Sequence, residues 1–122
     1  MNALAGLRVL DLSDRSAALA GRILGDLGAE VILVEPERGN SIRRWAPFIS
    51  EDGESAAHQY FSANKRSVVL DIEADRAQFL GLVASADVLI ETERPGRLDE
   101  LGLDHASLRA VNPDLILSLI HI

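Results

Sequence analysis

Ser13, Asp14, Arg15 and Ser16 follow directly on the apolar run Arg8 to Leu12, and a helix-like segment begins after them. Hydroxyls, a carboxylate and a guanidinium between the end of a strand and the start of a helix suit an anionic ligand. Open α/β sheets form crevices at the carboxyl ends of their strands, and free helix amides favour negative charge. The same Ser13, Asp14 or Ser16 can instead cap the helix. A second cluster, Glu91-Thr92-Glu93-Arg94-Pro95-Gly96, stands where another apolar run gives out. A tight turn explains Pro95 and Gly96, which leaves Thr92, Glu93 and Arg94 as candidates for ligand contact. Cations form a third group: Lys65 and Arg66 before a further apolar run, and Arg38, Arg43 and Arg44 beside Trp45. Guanidinium forks bind phosphate bidentately and stack on purines; equally, these side chains can pair with Glu35, Glu37 and Asp71 or simply be solvated.

Other chemistries find little support. Glu35 ends the second apolar run where a dinucleotide fold would place a ribose-binding acid, but the turn at Leu12 to Ser16 has no glycine. The G-x-G-x-x-G pattern that admits a pyrophosphate is missing there. Gly21 and Gly25 come later, four residues apart, and read as a close approach of helix to sheet. His58, His105 and His121 lack metal-ligand spacing, no serine sits in a nucleophile elbow, and there is no cysteine, which removes thiolate chemistry, disulfides and cysteine zinc sites. With 19 acidic against 12 basic residues the formal charge is −7. That balance disfavours nucleic acid as a partner. No apolar run approaches the ~20 residues that span a bilayer and no targeting pattern opens the chain, so no membrane partner is expected and the cytoplasm is the default location.

The elements that must position these groups follow from five runs rich in Val, Ile and Leu: Arg8 to Leu12, Glu30 to Glu35, Ser67 to Ile72, Asp87 to Thr92 and Asp114 to Leu119. Their weak alternation predicts strands covered on both faces, hence a parallel sheet. Helices are expected over Ala17 to Leu27, with Leu19, Ile23, Leu24 and Leu27 as its apolar stripe, and over Asp75 to Ser85, Arg97 to Leu101 and His105 to Val111. The 122 residues make one domain with a core of its own. The class is α/β, a Rossmann-like, open, mostly parallel sheet with flanking helices. Pro36 to Ala63 stands apart as a long polar connection of the kind that binds something.

Taken in order, several segments resemble the amino-terminal part of the class III coenzyme A transferases (CaiB/BaiF), the family of formyl-CoA and carnitine CoA-transferases and α-methylacyl-CoA racemase. They are Leu4 to Ser13 (LAGLRVLDLS), Ala20 to Ile32 (AGRILGDLGAEVI) with Val34-Glu35-Pro36, and Asn64 to Asp71 (NKRSVVLD). Ala86 to Glu91 (ADVLIE) with Arg94-Pro95-Gly96, Leu101-Gly102-Leu103, and Leu108 to Pro113 (LRAVNP) complete the set. The resemblance implies that coenzyme A, as free or acyl-CoA substrate and with no metal, lies over the strand ends. It would contact Arg15 and Ser16 after the first strand, Leu70, Asp71, Ile72 and Glu73 after the third, and Thr92, Glu93 and Arg94 after the fourth. Against the family pattern the turn near Arg15 is one residue shorter, Thr92-Glu93 replaces an Asn-Phe pair, and Glu100 stands where some members carry a phosphate-binding Arg. Glu93 and Glu100 would repel phosphate unless they face away.

The resemblance further implies an aspartate nucleophile that forms an acyl anhydride and then an aspartyl-CoA thioester, moving coenzyme A between carboxylic acids. That aspartate would fall beyond residue 122, so no catalytic residue is assigned within the chain and the piece alone is expected to be inactive. A racemase of the family, using a His and an acid also downstream, is the alternative. Outside the family, a noncatalytic or NAD-binding nucleotide module is the rival. Residues 1–116 are expected to form the amino-terminal part of a larger domain whose full-length parent is an interlocked homodimer, leaving apolar sheet surface exposed here. Leu117 to Ile122 reads as a translated sequencing adapter, which the codons of the gene would decide.

Overall fold

A computed structural model describes residues 3–51 and 53–119. Five strands, β1 (Arg8–Leu12), β2 (Glu30–Glu35), β3 (Lys65–Val69), β4 (Val88–Glu91) and β5 (Ile116–Leu119), form one sheet in the order β3-β2-β1-β4-β5. Every pairing is parallel. The connections carry helices α1 (Ala18–Asp26), α2 (Ala56–Phe61), α3 (Arg76–Ser85), α4 (Arg97–Glu100) and α5 (His105–Val111). The architecture is the open, parallel α/β sheet expected from the sequence. Strand order reverses between β2 and β4 on either side of β1, and this switch point puts the loops after β1 and β4 side by side.

Both faces of the sheet are covered, which is why its strands read as nearly continuous apolar runs. On one face Leu10, Val34 and Leu89 pack with Phe79 and Val83 of α3, Leu98 of α4, Leu108 of α5, and Leu103 and Leu115 of the loops. On the other, Val9, Val31 and Ile90 meet Ala17, Ala29 and Leu24. Period-two alternation sorts neighbouring residues such as Val9 and Leu10 to opposite faces.

Two expectations are corrected and one connection gains detail. Leu19, Ile23 and Leu27 were assigned to the buried stripe of α1, yet they are 47%, 49% and 43% exposed. Ala18 and Gly21 face the sheet instead, because α1 lies so close that only small residues fit: a Cβ at Gly21 would press on the Asp11 carboxylate and come 3.0 Å from Lys65 Cε. β3 begins and ends earlier than the run Ser67 to Ile72, since Lys65 already pairs with Val31 and the Asp71 carboxylate captures the amides of Glu73 (2.9 Å) and Ala74 (3.2 Å), turning the chain. The connection from Pro36 to Ala63, read from the sequence only as long and polar, carries elements of its own. It holds a 3₁₀ turn at Ser41–Arg44 and helix α2, whose start is capped by Ser55 Oγ accepting from the His58 amide at 3.1 Å. Of the expected adapter hexapeptide, residues 117–119 lie in β5 and residues 120–122, His121 among them, fall outside the described residues.

Candidate functional site

The strand ends beside the switch point enclose a hollow of about 530 Å³, within the range of small-molecule sites. Leu12, Ser13 and Asp14 come from the end of β1, Pro36 to Ser41 and Arg44 from the connection after β2, and Leu70 to Glu73 from the turn after β3, while Thr92, Glu93 and Arg97 follow β4; Gly39 and Asn40 are included and Glu37 is not. The loops are tied together. The Asp14 amide donates to Thr92 Oγ1 at 2.9 Å, and Asn40 Nδ2 donates to the Ser13 carbonyl at 2.7 Å.

Beneath the hollow lies a polar foundation. Asp11, fully buried on β1, meets Lys65 Nζ at 2.8 Å; the Lys65 side chain is 2% exposed and also donates to the Ala18 carbonyl at 3.0 Å. The other Asp11 oxygen accepts from the Ser13 amide at 2.8 Å and from the Ser13 hydroxyl. On β2, buried Glu35 accepts the Arg43 fork (Nη2 at 2.8 Å), the Asn40 amide at 2.9 Å and the Ser67 hydroxyl. Burial opposes ionisation of Glu35, but the Arg43, Asn40 and Ser67 hydrogen bonds outweigh it and hold the carboxyl at about 2. Glu35 is therefore engaged in holding the loop after β2, a different task from binding ribose. Arg43 thus pairs with Glu35, one of the acids the sequence offered it, whereas Lys65 pairs with Asp11, which was not among them.

The hollow brings together Leu70, Asp71, Ile72, Glu73, Thr92 and Glu93 of the nine residues singled out above. Arg15, Ser16 and Arg94 are not part of its lining. Arg15 stacks on the Trp45 ring, its guanidinium carbon 3.6 Å from the ring centre. Ser16 bonds Asp14 Oδ1 through its amide (2.8 Å) and hydroxyl (2.6 Å). Although burial works against it, these bonds, with those from Thr92 and the nearby Arg15 charge, hold the Asp14 carboxyl below its ordinary value. Arg94 grips Glu100 with both prongs, at 3.1 and 2.7 Å, which pairs the Glu100 charge and holds its carboxyl pKa below the ordinary value. Asp71, held by the amides of Ala74 and Glu73, also lies below its ordinary value.

The cations on the hollow itself are Arg38, Arg44 and Arg97. Sequence reasoning named the first two and missed Arg97 and Asn40. Arg97 carried a signal, since a cation in the first turn of a helix opposes the helix dipole and wants another reason to be there. Asn40 carried none, because its role depends on the separately folded Ser13 carbonyl.

In an open parallel sheet, the crevice at the switch point is where ligands of such folds bind. The model of CoA-transferase family III matches residues 4–121, and the chain belongs to that family. It is 42% identical to a succinyl-CoA:mesaconate CoA-transferase of Haloarcula hispanica over 98% of this chain and 32% of that protein. It is 43% identical to a succinate–glutarate CoA-transferase of Agrobacterium fabrum over 93% and 30%. The crystal structure of a CAIB/BAIF family protein from Brucella suis superposes with a TM-score of 0.88 at 40% identity, covering 98% of this chain and 33% of that one. The chain spans about a third of the length of these relatives.

Proposed function

We propose that this chain forms the coenzyme A-binding end of a class III CoA-transferase, residues 1–116 supplying the amino-terminal part of the domain. One observation carries the reading: the hollow joins the segments Leu70–Glu73 and Thr92–Glu93 to three guanidinium groups. Arg38, Arg44 and Arg97 face the phosphates, while Leu12, Val34, Leu70 and Ile72 offer apolar contact to the adenine or the pantetheine arm. Donors that fit a polyanion are numerous, whereas the ribose-binding acid of a nicotinamide site is occupied: Glu35 already accepts from Arg43, Asn40 and Ser67. The hollow also carries Asp14, Asp71, Glu73 and Glu93, so the phosphates lie toward the arginines and away from these carboxylates.

Transfer of coenzyme A between carboxylic acids is favoured over racemisation by the relatives, which are named as transferases acting on succinyl-CoA with mesaconate and on succinate with glutarate. In the parent protein the nucleophilic aspartate comes from beyond residue 122, and the described part contributes binding and orientation. Titration calorimetry of the purified chain tests the reading. CoA is expected to bind saturably and NAD not to; saturable NAD binding with none for CoA overturns it.

A further inference from the structure

The arginines around the hollow differ in how far they are already committed. Arg43 is locked on Glu35, Arg94 grips Glu100 with two hydrogen bonds, and Arg15 lies on Trp45. Arg97 is held differently. Its ion pair, to Glu73, is long at 3.7 Å, beyond hydrogen-bond reach, and joins two loops that face each other across the hollow: the turn after β3 and the start of α4 after β4. The Glu73 side chain is 67% exposed to solvent, while that of Arg97 is 34% exposed and forms part of the lining. A loose, solvated pair of this kind contributes little and yields to a stronger anion. A phosphate offers more charge than a carboxylate, and a guanidinium fork can grip two of its oxygens.

We infer that Arg97 holds a phosphate of the bound coenzyme, and that Glu73 is a resident stand-in anion that the phosphate displaces. The inference rests on the reading of the hollow as a coenzyme A site and assigns its phosphate anchor. Glu100, on the same short helix, is turned to Arg94, which leaves Arg97 as the cation of α4 on the hollow. Glu73 then acts as an internal competitor: it keeps Arg97 pointed across the hollow when the site is empty and opposes the ligand until it moves aside.

Calorimetric titration of CoA into the unaltered chain and three variants tests this. Arg97→Met, which keeps the apolar stem, is expected to weaken CoA binding about tenfold, and Arg97→Lys to recover part of the loss by restoring the charge without the fork. Glu73→Gln is expected to tighten binding several-fold, and to do so much less when combined with Arg97→Met. That non-additivity separates competition for Arg97 from general repulsion by Glu73. 3′-Dephospho-CoA identifies the phosphate: an undiminished Arg97→Met effect with it assigns the pyrophosphate, and a vanished effect assigns the 3′-phosphate. Thermal melts of each variant monitor the fold. CoA affinity equal to that of the unaltered chain in a folded Arg97→Met variant overturns the inference while leaving the coenzyme A reading standing. An unaltered chain that binds no CoA overturns both.

Discussion

Glu35 and Arg43 form the joint on which the loop after β2 turns, and their chemistry predicts a pH dependence. A carboxyl held at about 2, against 4.5 for an ordinary glutamate, contributes stability that is fully present above pH 4.5. It is lost progressively as pH falls toward 2. The partner Arg43 side chain is 43% exposed, so solvent screens the pair and the contribution is about 1–2 kcal/mol, below the full worth of such a shift. Denaturant melts between pH 5 and 2 should therefore fall less steeply for Glu35→Gln than for the unaltered protein; parallel slopes would remove the interaction. Asp11 and Lys65 differ in being buried at both ends. Lys65→Met strands the Asp11 carboxylate and is expected to cost about 3–5 kcal/mol, with Asp11→Asn restoring part of the loss in the double variant. Chemical denaturation of the three variants measures the coupling.

Helix α1 shows how a pattern of residue types can point the wrong way. Its leucines and isoleucine repeat at helical spacing, the usual sign of a buried stripe, but Leu19, Ile23 and Leu27 are exposed and the helix touches the sheet through Ala18 and Gly21. Close approach over the Asp11–Lys65 pair selects smallness over hydrophobicity on that face. Gly21→Ala is thus expected to cost about 1–3 kcal/mol despite alanine's better helix propensity, whereas Leu19→Gln or Ile23→Gln on the outer face should change stability by less than ~0.5 kcal/mol. Thermal melts that rank these the other way would reverse the orientation of the helix. Strands were legible because two-sided burial writes itself into composition, and α5 was legible from His105 to Val111. α2 was not, since none of its residues is fully buried and its start depends on a cap at Ser55. Of the hollow's lining, Thr92 and Glu93 were expected from a loop at a strand end, and Leu70 to Glu73 only from the family resemblance. Arg15, Ser16 and Arg94 lie outside that lining because each is engaged elsewhere: Arg15 on the ring of distant Trp45, Ser16 in a local turn with Asp14, and Arg94 on Glu100 six residues further along.

Among the described residues β3 and β5 are the outer strands of the sheet, and they carry Val69 and Ile116 at 64% and 63% exposure. Exposed apolar residues on edge strands favour edge-to-edge association. Sedimentation velocity is expected to show association that grows with concentration and is reduced by Val69→Lys; a monodisperse monomer at high concentration would contradict this. At the opposite extreme of the chain's behaviour is the crevice at the switch point, where loops from four strands share one hollow. Backbone amide chemical shifts recorded during addition of CoA read that hollow directly. Shifts concentrated at Ser13 and Asp14, Arg38 to Ser41, Leu70 to Glu73 and Thr92 to Arg97 are the predicted result. Shifts gathered instead on the outer face of α1, or around α5, would place the coenzyme elsewhere and contradict the assignment of the strand ends as its cradle.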